Sequence, residues 1–243
     1  MKKIIILALV MALCAACFVA CIPSKDNNNG NNNDNNNNVV STPLEQVAKM
    51  YKQSAPTKIV ASTKQTISSL ELNCKYEIIN GTVDNLPASV YNMYTEELET
   101  VENGGGSEVI KPLIKSTTRK TEAIQGIGSR VNGGDWDPSG TVSNITPGAM
   151  AINLDNNSVT GVEFKDNVLT FTVPVANAAT VLGESYSADI ASDVQVTIVT
   201  DGAVVTSIEL HYSLKGNDAA HLIQSEMVVK VEYSYDLEKI TIS

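Results

Sequence analysis

Cysteine and histidine are the side chains best suited to chemistry near neutral pH, and this chain carries four of the first and two of the second. Cys14, Cys17 and Cys21 crowd the N-terminus, which leaves Cys74 for the body of the chain. A nucleophilic Cys74 needs a base beside it to form the thiolate. Its place in an alternating apolar run instead predicts a buried, inert thiol. His211 alternates onto the polar side of its segment and His221 falls in a loop. Ten residues separate them, with no Cys or Glu at zinc spacing, so they read as solvated histidines. Gly126-Ile127-Gly128 has neither a third glycine nor a preceding apolar strand, so it reads as a loop and not as a phosphate cradle. Asp135-Trp136-Asp137 offers two carboxylates for a cation or a ring to stack on a sugar. Beside Pro138 and Gly140 it reads as a turn. There is no nucleophile elbow and no serine–lysine pattern. With no acid, base and nucleophile grouped, the chain reads as non-catalytic and without a cofactor.

The elements around these residues begin with Met1-Lys2-Lys3 and an apolar run from Ile4 to Ile22, 19 residues long. Two lysines before such a run have the form of a secretory signal. Phe18-Val19-Ala20 precede Cys21, and Cys14-Ala15-Ala16 precede Cys17. Both sites resemble the lipobox of bacterial prolipoproteins, in which the cysteine is diacylated and becomes the mature N-terminus. Leu is usual three places before that cysteine, where Phe18 and Cys14 stand here. Cys21 is favoured as the acylated residue because polar sequence starts soon after, at Ser24-Lys25-Asp26, and Cys17 is the alternative. The resemblance implies a cleaved signal over residues 1–20 and a protein held outside the cytoplasmic membrane by lipid. An uncleaved run of this length would also span a bilayer.

Residues 21–41 read as a tether. From Asn27 to Asn38 every residue is Asn except Gly30 and Asp34. Such a tract buries no apolar surface to offset its ordering entropy, so disorder is expected. A coil of about 20 residues spans roughly 25 Å root-mean-square. A calcium loop starting at Asp26 lacks the required glycine and glutamate.

The domain expected over residues 42–243 is acidic. The whole chain has a net charge of −10, and without Lys2 and Lys3 it has 15 basic against 27 acidic residues, or −12. That charge repels phosphate backbones and argues against nucleic acid as a partner. It equally argues against adsorption to anionic headgroups, so membrane attachment falls to the N-terminus. Thr42-Pro43-Leu44-Glu45 forms a capping box with Pro at the first helical position, and Leu44, Val47, Ala48 and Tyr51 share one helical face.

Most of the chain beyond this helix alternates with period two. Leu70, Leu72, Cys74, Tyr76 and Ile78 point one way and Glu71, Asn73, Lys75 and Glu77 the other, and Lys58–Ser68 is expected to pair with them. Val162–Val175 predicts a hairpin turning at Asp166-Asn167, with Leu169, Phe171, Val173 and Val175 on one face. Asp193–Leu214 predicts a second hairpin turning at Asp201-Gly202, its arms carrying Val194, Val196 and Ile198, then Val204, Thr206, Ile208, Leu210 and Tyr212. Met227, Val229, Val231, Tyr233 and Tyr235 mark a further strand, and Leu237–Ile242 a final edge strand. Short helices are expected after Thr146-Pro147 and over Asn177–Leu182. Val101–Gly140 has no readable period. The fold class is therefore mainly β (α+β), a curved antiparallel sheet or half-barrel with an N-terminal helix and one or two short helices packed on it.

This order of elements from Thr42 to Ser243, behind a lipoprotein-type signal, resembles the half-barrel of LolA/LppX-type lipoprotein and lipid carriers. The resemblance implies a non-catalytic protein that holds an acyl or other apolar ligand between sheet and helices. It carries over no individual residue. The alternative is a structural or adhesive surface domain whose partner is a protein or glycan. A cavity lined by Leu, Ile and Val separates the two readings, present for the first and absent for the second.

Overall fold

The computed structural model describes residues 41–52, 56–67, 69–99, 113–140, 158–182, 190–215, 225–236, 238–240 and 242. Cys17, Cys21, the asparagine tract, the helix expected after Thr146-Pro147 and His221 lie outside the described residues.

Helix α1 spans Pro43–Lys52. Its start is the expected capping box: the Glu45 carboxylate accepts from the Thr42 N–H at 2.9 Å, and the Thr42 hydroxyl accepts from the Glu45 N–H at 3.3 Å. Two of the N–H groups that a helix start leaves unpaired are thereby satisfied.

Among the described residues, eleven strands come after the helix. They are β1 (Lys58–Ile67), β2 (Leu70–Val83), β3 (Leu86–Glu99), β4 (Leu113–Ile124), β5 (Gly128–Val131), β6 (Thr160–Lys165), β7 (Val168–Val173), β8 (Val194–Thr200), β9 (Val205–Leu214), β10 (Ser225–Ser234) and β11 (Glu238–Lys239). Ten of them form one curved, unclosed antiparallel sheet in the order β5-β4-β3-β2-β1-β10-β9-β8-β7-β6. Chain neighbours pair throughout except at the seam, where β1 runs against β10 from Lys58↔Ser234 to Ile67↔Ser225. The sheet is thus two meanders, β1–β5 and β6–β10, sewn together by the first and last long strands. β11 pairs in parallel with β2 at Gly81 and Thr82 and is only two residues long, so the expected final edge strand shrinks to a short clasp.

The turns explain much of the register. Asp166 and Asn167 have φ of 50° and 65°, and Asp84 and Asn85 have 49° and 66°. Two positive values in a two-residue loop match the right-handed twist of the strands. The β8–β9 loop turns at Asp201-Gly202 as expected, but it is longer. The Asp201 carboxylate accepts from the N–H groups of Ala203 and Val204 at 2.8 and 2.9 Å.

The register also shifts between Val199 and Thr200. This irregularity puts Val205, and not Val204 or Thr206, into the core, and alternation resumes at Ile208. A further departure is Val175. Its strand stops at Val173, and Val175 opens a 3-10 turn (Val175–Asn177) with its side chain exposed. The turn leads into α2 (Ala178–Leu182).

One face of the sheet carries both helices. α1 packs chiefly on β6, β7 and β9, and buries Leu44, Val47 and Ala48 in one cluster with Leu169, Phe171, Val181, Leu182, Val196, Ile208 and Leu210. Each such fully buried aliphatic side chain stabilises the fold by roughly 1.5–3 kcal/mol relative to exposure.

Candidate functional site: the open half of the helix-bearing face

Antiparallel register sets side chains in rows across the sheet. One row on the helix-bearing face can be followed over nine strands. It runs Arg119, Met93, Tyr76, Ala61, Val231, Ile208, Ile198, Leu169 and Phe164. Ile208, Ile198 and Leu169 are wholly buried, and Tyr76 is nearly so. Met93 is half-buried and Arg119 is exposed. The row therefore grades from sealed core to solvent within a few strands.

The neighbouring rows repeat the gradient with different chemistry. Thr117, Thr95, Cys74 and Thr63 lead to Val229, Leu210, Val196 and Phe171. On the other side, Thr121 and Tyr91 lead to Ile78, Ile59 and Tyr233. Over β7–β10 this face is mainly aliphatic and aromatic, with Met227 and the buried hydroxyls of Thr200 and Ser225 among them. Over β2–β4 it mixes Tyr76, Tyr91 and Met93 with hydroxyl groups and a cation.

The Tyr76 and Tyr91 rings lie 5.9 Å apart at a tilt of 38°, and the Tyr91 hydroxyl donates to Met93 Sδ at 3.6 Å. Burial, with some help from Tyr91, pushes the Tyr76 phenol far above its ordinary value, so it stays protonated. The Thr95 and Thr117 hydroxyls share a hydrogen bond of 2.9 Å. Gln65, two residues along β1 from Thr63, donates to the Ser225 hydroxyl at 2.9 Å. Its own carbonyl oxygen is buried with no partner among the described residues. Ligands with an apolar body and a polar end suit such a surface.

The residues singled out by type fall elsewhere or are buried. Cys74 lies on this face as expected, 5% exposed and free of any disulfide. Burial pushes its thiol up, against a smaller pull from the Thr63 hydrogen bond. His211 projects from the opposite face of β9, exposed beside Glu209 at 2.5 Å. Among the described residues, no three His, Cys, Asp or Glu side chains group as metal ligands.

Gly126 and Gly128 shape the β4–β5 turn. A Cβ on Gly128 would stand 2.1 Å from the Asp137 carbonyl, because the backbone of Asp137 pairs with that of Ser129 there. Asp137 itself accepts from the Ser139 N–H and hydroxyl at 2.9 and 2.6 Å, and Trp136 is stacked by Arg130 at 4.9 Å. Trp136 and Asp137 are thus engaged in local structure.

Arg130 also meets Glu122 at 2.6 Å on the face away from the helices, where Lys120 reaches the same carboxylate at 2.6 Å. The Glu122 side chain is 2% exposed. Burial pushes its carboxyl up, but the hydrogen bonds from Lys120 and Arg130 outweigh it and hold the group below its ordinary value.

Tyr91, Met93 and Arg119, the open part of the face, lie in segments with no clear apolar period. Asp84-Asn85, the same kind of two-residue turn as Asp166-Asn167, was the signal that could have placed β3. The Thr-rich run from Thr117 to Thr121 was a weaker signal for β4.

No family model and no curated protein matches the chain. Among solved structures, the crystal structure of a DUF1329 family protein from Desulfovibrio piger is similar over 80% of this chain and 93% of that one, at 8% identity and a TM-score of 0.23. So loose a superposition adds nothing to the topology traced above.

Proposed function

We propose that this protein is a non-catalytic lipoprotein of the bacterial cell envelope, anchored by acyl chains on Cys21, with Cys17 as the alternative, and tethered by its asparagine tract. Its domain holds an apolar or lipid-like ligand on the sheet. The observation that supports this reading is the gradient along β2–β4. Tyr91 and Met93 continue the core beyond the helices and are only half-buried. The reading departs from the simplest expectation in one respect. The space between α1 and the sheet is filled by Leu44, Val47 and Ala48, so the ligand surface lies beside the helix and not beneath it.

The test is native mass spectrometry of the full chain, extracted from membranes of a bacterial host in a detergent that is released in the gas phase. A discrete added mass that organic solvent removes is expected, on top of a covalent diacyl modification of the N-terminal cysteine. A protein carrying no removable mass, even after incubation with a lipid extract, would overturn the ligand reading and leave the adhesive-domain alternative. An unmodified Met1 start would overturn the anchor.

A further inference from the structure

Many cations of this acidic chain face a carboxylate, and on the helix-bearing face Lys115 stands across from Glu97. On the face away from the helices, Lys58, Lys64, Lys120, Arg130 and Lys230 are ion-paired with Glu77, Glu71, Glu122, Glu122 and Glu232. Arg119 is on the helix-bearing face, directly across from Met93, and makes no ion pair among the described residues. Its neighbours on that face are Met93, Tyr91 and Thr95 on β3 and Thr117 and Thr121 on its own strand. None is a carboxylate, in a chain with 27 of them. An arginine left unpaired beside a half-buried aromatic and methionine patch, and flanked by hydroxyls, has a surrounding suited to a ligand anion.

We propose that the ligand is an acyl lipid with an anionic phosphate headgroup, its chains on Tyr91 and Met93 and its phosphate on Arg119, with the Thr117 and Thr121 hydroxyls beside it. This rests on the apolar-ligand reading and adds the headgroup to it. The planar guanidinium fork matches phosphate oxygens in pairs and sheds water more readily than an ammonium. Strands lie about 5 Å apart, so Arg119 stands about that far from Met93 across the row. A glycerol backbone bridges that distance between phosphate and acyl chains. The overall negative charge repels anionic lipid surfaces at large, so the headgroup is engaged locally, one lipid at a time.

The experiment compares dioleoyl phosphatidic acid with dioleoylglycerol, identical but for the phosphate, by native mass spectrometry of the full chain. Palmitate serves as a carboxylate arm. The wild type should load phosphatidic acid at least about fivefold better than dioleoylglycerol. Arg119→Gln should abolish that preference while still loading dioleoylglycerol, Arg119→Lys should keep part of it, and Lys75→Gln on the opposite face should change nothing. Arg119 is exposed, so these variants are expected to fold as the wild type does.

Equal loading of the two lipids, or a preference that survives Arg119→Gln, would overturn the headgroup assignment and leave the apolar-ligand reading standing. Palmitate loading that matches phosphatidic acid would overturn the choice of phosphate. Loading of none of the three would overturn the ligand reading itself.

Discussion

The two halves of the helix-bearing face share one sheet and one register yet are built for different ends. Over β7–β10, Leu169, Val173, Val194, Ile198, Ile208 and Leu210 are wholly buried, with α1 and α2 packed among them. On β2, Leu72, Cys74, Tyr76 and Ile78 are still buried, while over β3 and β4 hydroxyls, Tyr91, Met93 and Arg119 hold the corresponding positions. Burial in the first half supplies stability. The second half contributes less to it and keeps surface available. A continuous sheet can therefore divide its labour along its width, because each row passes from one half to the other without a change of backbone.

Substitutions in the two halves should separate these roles. The largest effect is expected from Leu210→Ala, which empties a fully buried position in the covered half. It should cost about 2–5 kcal/mol in a urea unfolding experiment. A cost below about 1 kcal/mol would mean that the covered half is not the source of stability.

Glu122→Gln, behind the open half, should cost about 1–3 kcal/mol, since it leaves Arg130 and Lys120 without their anion. Its pH dependence has a definite sign. Glu122 titrates below its ordinary 4.5 in the folded protein. Its contribution is therefore complete above that pH and is lost as the pH falls through the folded value. Stability measured from pH 6 to pH 3 should drop less steeply in Glu122→Gln than in the wild type.

Thr42→Ala removes one side of the capping box and should cost about 1 kcal/mol. Hydrogen exchange should show the loss in α1 and leave β2–β4 unchanged.

Met93→Ala should cost the least stability, about 1 kcal/mol or below, yet it should produce the largest loss of apolar ligand in native mass spectra. A Met93 variant that unfolds as readily as Leu210→Ala would erase the distinction between the halves.

Sequence periodicity reached the covered half and largely missed the open one, for a physical reason. A strand packed under helices alternates apolar and polar residues, as Val194-Gln195-Val196-Thr197-Ile198 does. β4 reads Lys115-Ser116-Thr117-Thr118-Arg119-Lys120, and neither of its faces is apolar there, because neither is sealed. Thr favours strands through its branched Cβ but leaves no period to trace. The capping box at Thr42 and the turns at Asp166 and Asp201 were legible because their chemistry is local. The shift that exchanges Val204 for Val205 was not, since only the pairing of β8 with β9 creates it. Cys74 and His211 stand where alternation puts them. The open site was illegible for the same reason as the strands that carry it.

A sheet that does not close has two margins, and each is a template on which another chain could zip. At β5 the outer backbone of Ser129 is already engaged on both N–H and C=O by Asp137, at 3.0 and 2.7 Å. That strand offers only four residues in all. At β6 the ladder is broken between Thr160 and Glu163, Gly161 has a φ of 65°, and Glu163 and Lys165 place opposite charges on six residues. A short strand, a bulge and edge charges are devices that blunt aggregation. Among the described residues, the sheet thus stays unclosed with both margins blunted against pairing with further copies of the chain.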